Sequence, residues 1–287
     1  HYMTEAIRHI PTVCYLEVPG SMMPQRAAFE RDRCRVMAVA STFYGTLDDE
    51  QQNWLDNGEP RDKWWDGEID KVLAVWEAQG WDDRLGLRFD WFEDKRLPAG
   101  TQAAFSARIA ERVGPVLKAN GVRIDFMFAD NEQNVPATQL DRAFGDLRPL
   151  AKSWGNWNYA KGRAVNFTFT RPPVKAAICE TYTATDDESL ATICRTIDLN
   201  GANCIPWLPC INQTADNWPV VDEDTANRCT ERLILYAMSQ GVTRFGIHLP
   251  QIKHIDKNGE WDMGRWHRVI DHVDLTIKLG DRMMGRV

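Results

Sequence analysis

Residues 122–132 read VRIDFMFADNE, an apolar run of strand length that ends in Asp130, Asn131 and Glu132. Parallel barrels build their active sites at the carboxyl ends of buried strands, so a strand that ends in carboxylates fits that plan. The stretch therefore predicts a buried parallel strand with a functional site at its end. Such a strand needs partners, and the rest of the chain has to supply them.

Short apolar runs alternate with helical patterns along the chain, which is the rhythm of a parallel sheet with crossover helices. Several predicted helices end in Asn-Gly or Gln-Gly directly before a strand, at Gly121, Gly201 and Gly241. The predicted strands are 12–18, 35–42, 85–91, 122–130, 174–180, 203–209 and 242–249. The predicted helices are about 67–80, 101–119, 137–151, 186–200, 222–240 and 264–279.

An eight-stranded barrel needs one strand more than these seven. The region 150–173 has to hold it, either at 153–159 or in a hairpin that includes the extended run 164–170. The run 164–170 cannot be a parallel neighbour of 174–180, because a parallel crossover needs about a dozen residues. We therefore predict an α/β fold, a (β/α)8 TIM barrel that is irregular around 150–173. The length of 287 residues fits one domain spanning 1–287, with residues 1–3 interpreted as an expression remnant.

Composition limits the possible partners. The net charge of −7 disfavours nucleic acid, because binding phosphates requires clustered Lys and Arg. No segment approaches the roughly 20 apolar residues that cross a bilayer, so no membrane partner is expected. The seven cysteines form no C-x-x-C pair and are interpreted as buried thiols of a reducing compartment, which favours the cytoplasm. An export signal removed before residue 1 is left open.

The patterns that bind metals or cofactors are missing from the sequence. Its six histidines are dispersed, and neither a phosphate-cradling glycine loop nor a G-x-S-x-G elbow occurs. We therefore expect neither a catalytic metal nor a cofactor.

Alternation within three strands predicts which side chains enter the barrel interior. In 85–91 the bulky apolar residues occupy one parity and are assigned to the helix side, which leaves Arg88 and Asp90 inside. The same rule places Arg123, Asp125, Asn131, Arg244, Gly246 and His248 inside. Arg88, Asp125 and Arg244 lie below the strand ends and form either a buried ion-pair network or part of a site. Asp90, Asn131, Glu132 and His248 lie at the strand ends, where a site role is favoured.

Aromatic residues indicate a carbohydrate partner. The chain has twelve tryptophans, and many of them fall in predicted loops, including Trp64 and Trp65 in the long loop 43–66. Sugar rings pack their C–H faces on indole while their hydroxyls need polar neighbours, so Trp mixed with Asp and Asn suits a carbohydrate cleft. Ordinary core packing is the alternative for any single Trp.

The run Ala129-Asp130-Asn131-Glu132 resembles the fourth-strand signature of the clan A superfamily of retaining glycoside hydrolases. It is especially similar to the Asp-Asn-Glu form of β-galactosidase-type members. The resemblance implies that Glu132 is the general acid/base and that Asn131 binds the sugar 2-hydroxyl. It also implies a nucleophilic Glu at the end of strand seven, for which Glu180 in the run 176–182 is the best match. Trp207 would then be the aromatic residue that ends the last strand, whereas a plain count puts Glu180 on strand five or six.

These assignments predict a two-carboxylate mechanism. A retaining enzyme holds its two carboxyl groups about 5–5.5 Å apart, and an inverting enzyme about 6.5–9.5 Å. Glu132 is the predicted acid/base and Glu180 the predicted nucleophile, with Asp90 and Asp130 as reserve carboxylates. The predicted substrate-binding residues are Asp90, Trp91, Asp130, Asn131, Tyr182, Trp207, His248, Trp64 and Trp65.

Three other functions stay open. Asp130-x-Glu132 also resembles the strand end of chitinase-like barrels, in which Tyr182 would assist the acid. A second alternative is a non-catalytic carbohydrate-binding or receptor-recognition barrel of a larger assembly. The third is another barrel enzyme, such as a lyase or an isomerase. The sequence specifies neither the sugar, the linkage, exo or endo action, nor the oligomeric state.

Overall fold

A parallel sheet forms the centre of the protein, seen here in a computed structural model. The structure describes residues 12–17, 34–42, 59–82, 84–90, 100–129, 144–158, 174–180, 187–208, 223–248 and 263–286. The first four strands are β1 (Val13–Glu17), β2 (Cys34–Val36 and Ala38–Ser41), β3 (Leu85–Asp90) and β4 (Ile124–Ala129). The others are β5 (Ala151–Asn158), β6 (Val174–Glu180), β7 (Cys204–Leu208) and β8 (Arg244–His248).

The sheet closes on itself through β2, which Met37 divides into two segments. Its first segment pairs with β1, with Cys34 opposite Cys14, and its second segment pairs with β3. From β1 the strand order continues through β8, β7, β6, β5 and β4 to β3, and all of these neighbours are parallel. The predicted α/β barrel of eight strands is confirmed.

The strand predicted between 150 and 173 is β5. It follows a 3₁₀ helix at Gly145–Leu150 and pairs in parallel with β4 on one side and β6 on the other. The placement near 153–159 is therefore confirmed, and the strand starts slightly earlier. Its pairing with β6 shifts register between Trp154 and Asn156, as expected for an irregular region. The run 164–170 lies outside the described residues.

Five helices are described: α1 (Glu59–Ala78), α2 (Thr101–Asn120), α3 (Asp187–Asn200), α4 (Glu223–Ser239) and α5 (Met263–Met283). Helix α1 begins at Glu59 rather than at residue 67, so the prediction of a loop up to residue 66 is wrong. Pro60 suits the first turn, because the N–H that proline lacks has no partner there in any residue. Gly121 ends α2 at φ 67° and donates its N–H to carbonyls of the last turn, as predicted.

The buried side chains form two layers, one on each face of the sheet. Leu85, Leu87 and Phe89 of β3 belong to the layer between strands and helices, so the alternation predicted for this strand is confirmed. Phe245 and Ile247 of β8 belong to the same layer. The second layer fills the barrel interior with Val13, Tyr15, Met37, Phe126, Phe128, Ile205 and Trp207.

A register shift in β4 breaks the alternation that the sequence predicts. Leu85 pairs with Ile124 and Gly86 pairs with Phe126, so Asp125 has no register partner on β3. As in a β-bulge, both Asp125 and Phe126 then lie on the interior side. The prediction that Asp125 is interior is confirmed. The prediction for Asn131 lies outside the described residues.

The C-terminal segment is fixed to the start of β1 and to the end of α4. Thr12 donates its hydroxyl to the Asp281 carboxylate at 2.7 Å. The Arg286 guanidinium donates to the carbonyls of Met238 at 2.7 Å and Val242 at 3.1 Å. The Met238 carbonyl, in the last turn of α4, also accepts the Gly241 N–H, so the buried arginine is its second donor. Thr12, Asp281 and Arg286 are together called the terminal clamp.

The cysteines whose side chains are described are thiols outside any disulfide. Cys14, Cys34, Cys204 and Cys229 are buried, and Cys194 is half-buried. None of the described helices is long and apolar enough to cross a membrane.

Candidate active site

The carboxyl ends of the parallel strands form one rim of the barrel, here called the carboxyl rim. Strand β3 ends there in Asp90, β6 in Glu180 and β8 in His248. Strand register fixes which rim residues are neighbours: Asp90 pairs with Ser41, and Glu180 pairs with Trp207. Asp90, Glu180 and His248 therefore lie at the strand ends, as predicted. Of these three residues only the backbone is described, so their roles stay predictions.

The strand count corrects the alignment that supported Glu180. Glu180 ends the sixth strand, and the expectation that it ends the seventh is wrong. Trp207 lies on the seventh strand, with β8 following it, so it does not belong to the last strand. Its sequence CIPWL gives β7 no carboxylate. The plain count, with Glu180 on strand five or six, is confirmed.

Five predicted site residues lie outside the described residues, so the structure tests none of their roles. The catalytic role of Glu132 and the binding roles of the other four remain predictions. The five are Trp91, Asp130, Asn131, Glu132 and Tyr182.

Trp207 lies at the centre of the interior layer. Its ring packs edge-on against Phe128, with the centroids 5.3 Å apart, and has no exposed surface. On β8 the ring faces Gly246, where a Cβ atom would lie 2.0 Å from it. Together with Tyr15, Phe126 and Phe128, Trp207 forms a set that we call the interior plug. Trp207 is the register partner of Glu180 at the carboxyl rim, and a substrate contact of Trp207 remains a prediction.

Trp64 and Trp65 attach α1 to the carboxyl end of β2. Trp65 donates its indole N–H to the Thr42 carbonyl at 2.9 Å, and Trp64 donates to the Ser41 carbonyl at 3.3 Å. Trp65 is buried, packs on Phe105 and lies in the layer between helices and sheet. Its surroundings are therefore those of a core tryptophan. Trp64 is half-buried beside the rim, so it is the better placed of the two for the predicted sugar contact.

A polar network crosses the interior near the amino ends of the strands and includes Tyr15 of the plug. Arg244 donates two hydrogen bonds to Asp125, each 3.0 Å long, and Tyr15 donates its hydroxyl to the same carboxylate at 2.6 Å. Lys152 adds a cation 3.9 Å away. Asp125 and Arg244 lie near the amino ends of their strands, on the far side of the plug from the carboxyl rim. The ion-pair interpretation of Asp125 and Arg244 is therefore the one that the structure supports.

Burial and neighbouring charges together set the protonation states of Asp125 and Tyr15. Burial alone raises the pKa of Asp125, but the hydrogen bonds and charge of Arg244 outweigh it, so the pKa of this carboxyl is lowered. Burial and the Asp125 charge raise the pKa of Tyr15 well above its ordinary value. At neutral pH Asp125 is therefore ionised and Tyr15 is a neutral donor. The ionised Asp125 therefore carries no proton that it could donate in catalysis.

Sequence reasoning missed Tyr15 and Glu17, both on β1. Tyr15 is an interior residue that stabilises Asp125, and no signal in its own strand distinguishes it from a core tyrosine. Glu17 ends an apolar strand and is followed by Val18, Pro19 and Gly20. An apolar strand that ends in a carboxylate is the same signal that singled out Glu132 and Glu180, so this signal could have found Glu17.

No metal centre is evident in the described part of the chain, where no three His, Cys, Asp or Glu side chains are grouped closely enough to hold an ion.

Comparison with known proteins yields remote structural matches alone. No family model and no curated protein sequence matches the chain. A glycoside hydrolase family 5 enzyme from Prevotella bryantii B14, solved with a xyloglucan tetradecasaccharide, matches at 9% identity and a TM-score of 0.39. That match covers 96% of this chain and 98% of the other. A broad-specificity endoglucanase from an uncultured bacterium matches at 8% identity and a TM-score of 0.36, covering 96% and 83%. Similarity at this level transfers neither an activity nor a residue role.

Proposed function

We propose that this protein is a glycoside hydrolase whose site lies at the carboxyl rim. Glu132 is its general acid/base and Glu180 its nucleophile. The supporting observation is the position of β4: the strand that leads to Asp130, Asn131 and Glu132 runs parallel to strands that end in Asp90 and Glu180. Strands that end in, or lead to, acidic residues thus run toward one end of one barrel, and this is the end where barrel enzymes carry out their chemistry.

Packed side chains in the barrel interior also support a site at the rim. Within the described residues, the interior plug fills the barrel with buried aromatic rings, which favours binding at the rim. Asp125 is neutralised by Arg244 and is not available to react. Among the described residues, Asp90 and Glu180 at the rim are therefore the candidates for this chemistry.

Glycoside hydrolysis is the reaction that best uses two carboxyl groups without a metal or a cofactor. One carboxylic acid protonates the leaving oxygen, and the other carboxylate attacks the sugar or activates water. Trp64, half-buried beside the end of β2, supplies an aromatic surface of the kind that sugar rings pack on. In this proposal the substrate is an oligosaccharide or polysaccharide.

The test is Glu132→Gln assayed on a panel of soluble polysaccharides and oligosaccharides by release of reducing ends. We expect wild type to hydrolyse at least one of them and the variant to lose at least 99% of kcat, since general acid catalysis contributes about 10²–10⁴-fold. Binding of the same sugar, measured by calorimetry, should persist in the variant. Glu188→Gln is the matched control, because Glu188 is exposed on α3. Equal turnover by Glu132→Gln and wild type would contradict the proposal.

A carbohydrate-binding barrel without catalysis is the second candidate. The observation in its favour is β7, which carries no carboxylate in any of its five residues. This second candidate predicts that wild type binds a sugar tightly without hydrolysing it. It also predicts that Glu180→Gln binds that sugar with the same affinity as wild type.

A further inference from the structure

The strand register pairs an acidic residue with a histidine at the carboxyl rim. Glu17 is the last residue of β1, His248 is the last residue of β8, and the two are register partners in adjacent parallel strands. Neighbouring strands lie about 4.8 Å apart. No other pair of partners in the described register joins a histidine to an acid.

Both positions belong to the interior face of the barrel. Two residues before Glu17 is Tyr15, whose hydroxyl bonds Asp125 in the interior. Two residues before His248 is Gly246, which faces the Trp207 ring. Because positions two apart on a strand share a face, Glu17 and His248 occupy interior-face positions one layer above the interior plug. Their level is that of the rim, well above the Asp125–Arg244 ion pair.

The other neighbour of β8 carries no competing charge. Strand β7 reads Cys204–Leu208, CIPWL, and contains no acid, lysine, arginine or histidine. Of the two strands adjacent to β8, only β1 has a charged residue, Glu17, in described register with His248. A carboxylate beside an imidazole favours the protonated ring and fixes its orientation.

We propose that Glu17 is a positioning residue of the rim site, which orients and charges His248 so that the imidazolium binds a substrate hydroxyl. The nature of the ligand rests on the proposed glycosidase function, whereas the pairing itself does not. A neutral sugar hydroxyl accepts a hydrogen bond from the cation more strongly than from a neutral ring. His248 would thus be a binding group, and the chemistry would remain with the rim carboxylates.

The pairing is tested by NMR titration of the full chain. The resonance of His248 is identified among six histidines by its loss in His248→Gln. In Glu17→Gln we expect the His248 pKa to fall by one unit or more, the usual effect of removing an adjacent opposite charge. The control Glu77→Gln removes an equal charge from the exposed last turn of α1 and should leave that pKa unchanged. An unchanged His248 pKa in Glu17→Gln overturns the pairing.

Wild type provides a second measurement should Glu17→Gln fail to fold. Its His248 pKa should lie above the ordinary value of about 6.5, and a value at or below 6.5 would overturn the proposal. The binding role is read from steady-state kinetics on the sugar identified with wild type. Glu17→Gln should raise KM about tenfold or more with a smaller change in kcat, and Glu17→Asp should restore part of the loss.

The two proposals fail in different ways. A His248 pKa that falls in Glu17→Gln, in a protein that hydrolyses no sugar, supports the pairing and contradicts the glycosidase. Sugar hydrolysis with an unchanged His248 pKa supports the glycosidase and overturns the pairing.

Discussion

Arg244 and Asp125 join opposite sides of the barrel through two parallel hydrogen bonds, each 3.0 Å long. The residues lie on β8 and β4, which are separated by three strands in either direction around the sheet. The contact therefore spans the interior, and each residue is the principal counter-charge of the other. Loss of this contact should therefore destabilise the packing on both sides of the barrel.

Asp125→Asn should destabilise the protein by about 3–5 kcal/mol, because it leaves the Arg244 charge buried without its anion. Urea denaturation measures the change. Tyr15→Phe removes one hydrogen bond and keeps the ion pair, so it should cost only about 1 kcal/mol. Asp70→Asn is the control, since Asp70 is largely exposed and its pair with Arg112 contributes little. Equal stabilities of Asp125→Asn and Asp70→Asn would contradict the ion-pair assignment.

The same carboxylate predicts how stability depends on pH. The pKa of Asp125 is lower in the folded protein than its unfolded value of about 3.9. Its contribution is therefore fully present above pH 4 and is lost as the pH falls through the folded pKa. The difference between the denaturation midpoints of wild type and Asp125→Asn should shrink as the pH is lowered from 6 to 2. A difference between them that stays constant down to pH 2 would exclude this linkage.

Gly246→Ala should destabilise the barrel by at least about 1–3 kcal/mol, because the new methyl group would overlap the Trp207 ring. Thermal unfolding followed by circular dichroism measures this. The double variant with Trp207→Leu should recover part of the loss, since the overlapping ring atoms are gone. Gly67→Ala in α1 is the matched control: nothing lies within 4 Å of its Cβ position, so it should be neutral or stabilising. A Gly246→Ala protein as stable as wild type would show that the plug is loosely packed.

Arg286→Met should cost on the order of 3 kcal/mol, because the carbonyls of Met238 and Val242 lose a buried donor. Methionine keeps an apolar stem of similar length, so the loss reports on the hydrogen bonds. Arg282→Met, on the exposed side of the same segment, should change little. If both variants unfold at the same urea concentration, the terminal clamp does not stabilise the barrel.

Seven of the eight strands were predictable because buried parallel strands are continuous apolar runs bounded by turn residues. The helix ends at Gly121 and Gly241 were also predictable, because glycine commonly ends a helix with a positive φ, and both residues adopt one. Two features were not predictable. The register shift at Asp125 depends on pairing with β3, which a single strand does not encode. The start of α1 was missed because Trp64 and Trp65 have the composition of a binding loop, whereas the structure uses them to pack the helix on β2.

The candidate site was predictable as a location and less so as a set of residues. The strand ends at Asp90, Glu180 and His248 lie on the carboxyl rim, since every strand is parallel. The sequence alone left the strand number of Glu180 at five or six, because one unassigned strand shifts the number of every strand that follows. Glu17 was not predicted, because its pairing with His248 joins strands that lie far apart in the sequence.

The pairing of β1 with β8 also constrains the order of events during synthesis. Val13 is the partner of Arg244, so residues near the two ends of the sequence have to meet before the barrel can close. Until residues 244–248 leave the ribosome, β1 can pair only with the three-residue first segment of β2, and its other edge is open. Contacts between distant residues carry the largest loop-closure entropy, so this junction should form last. A nascent chain that lacks β8 should therefore expose a strand edge that invites aggregation.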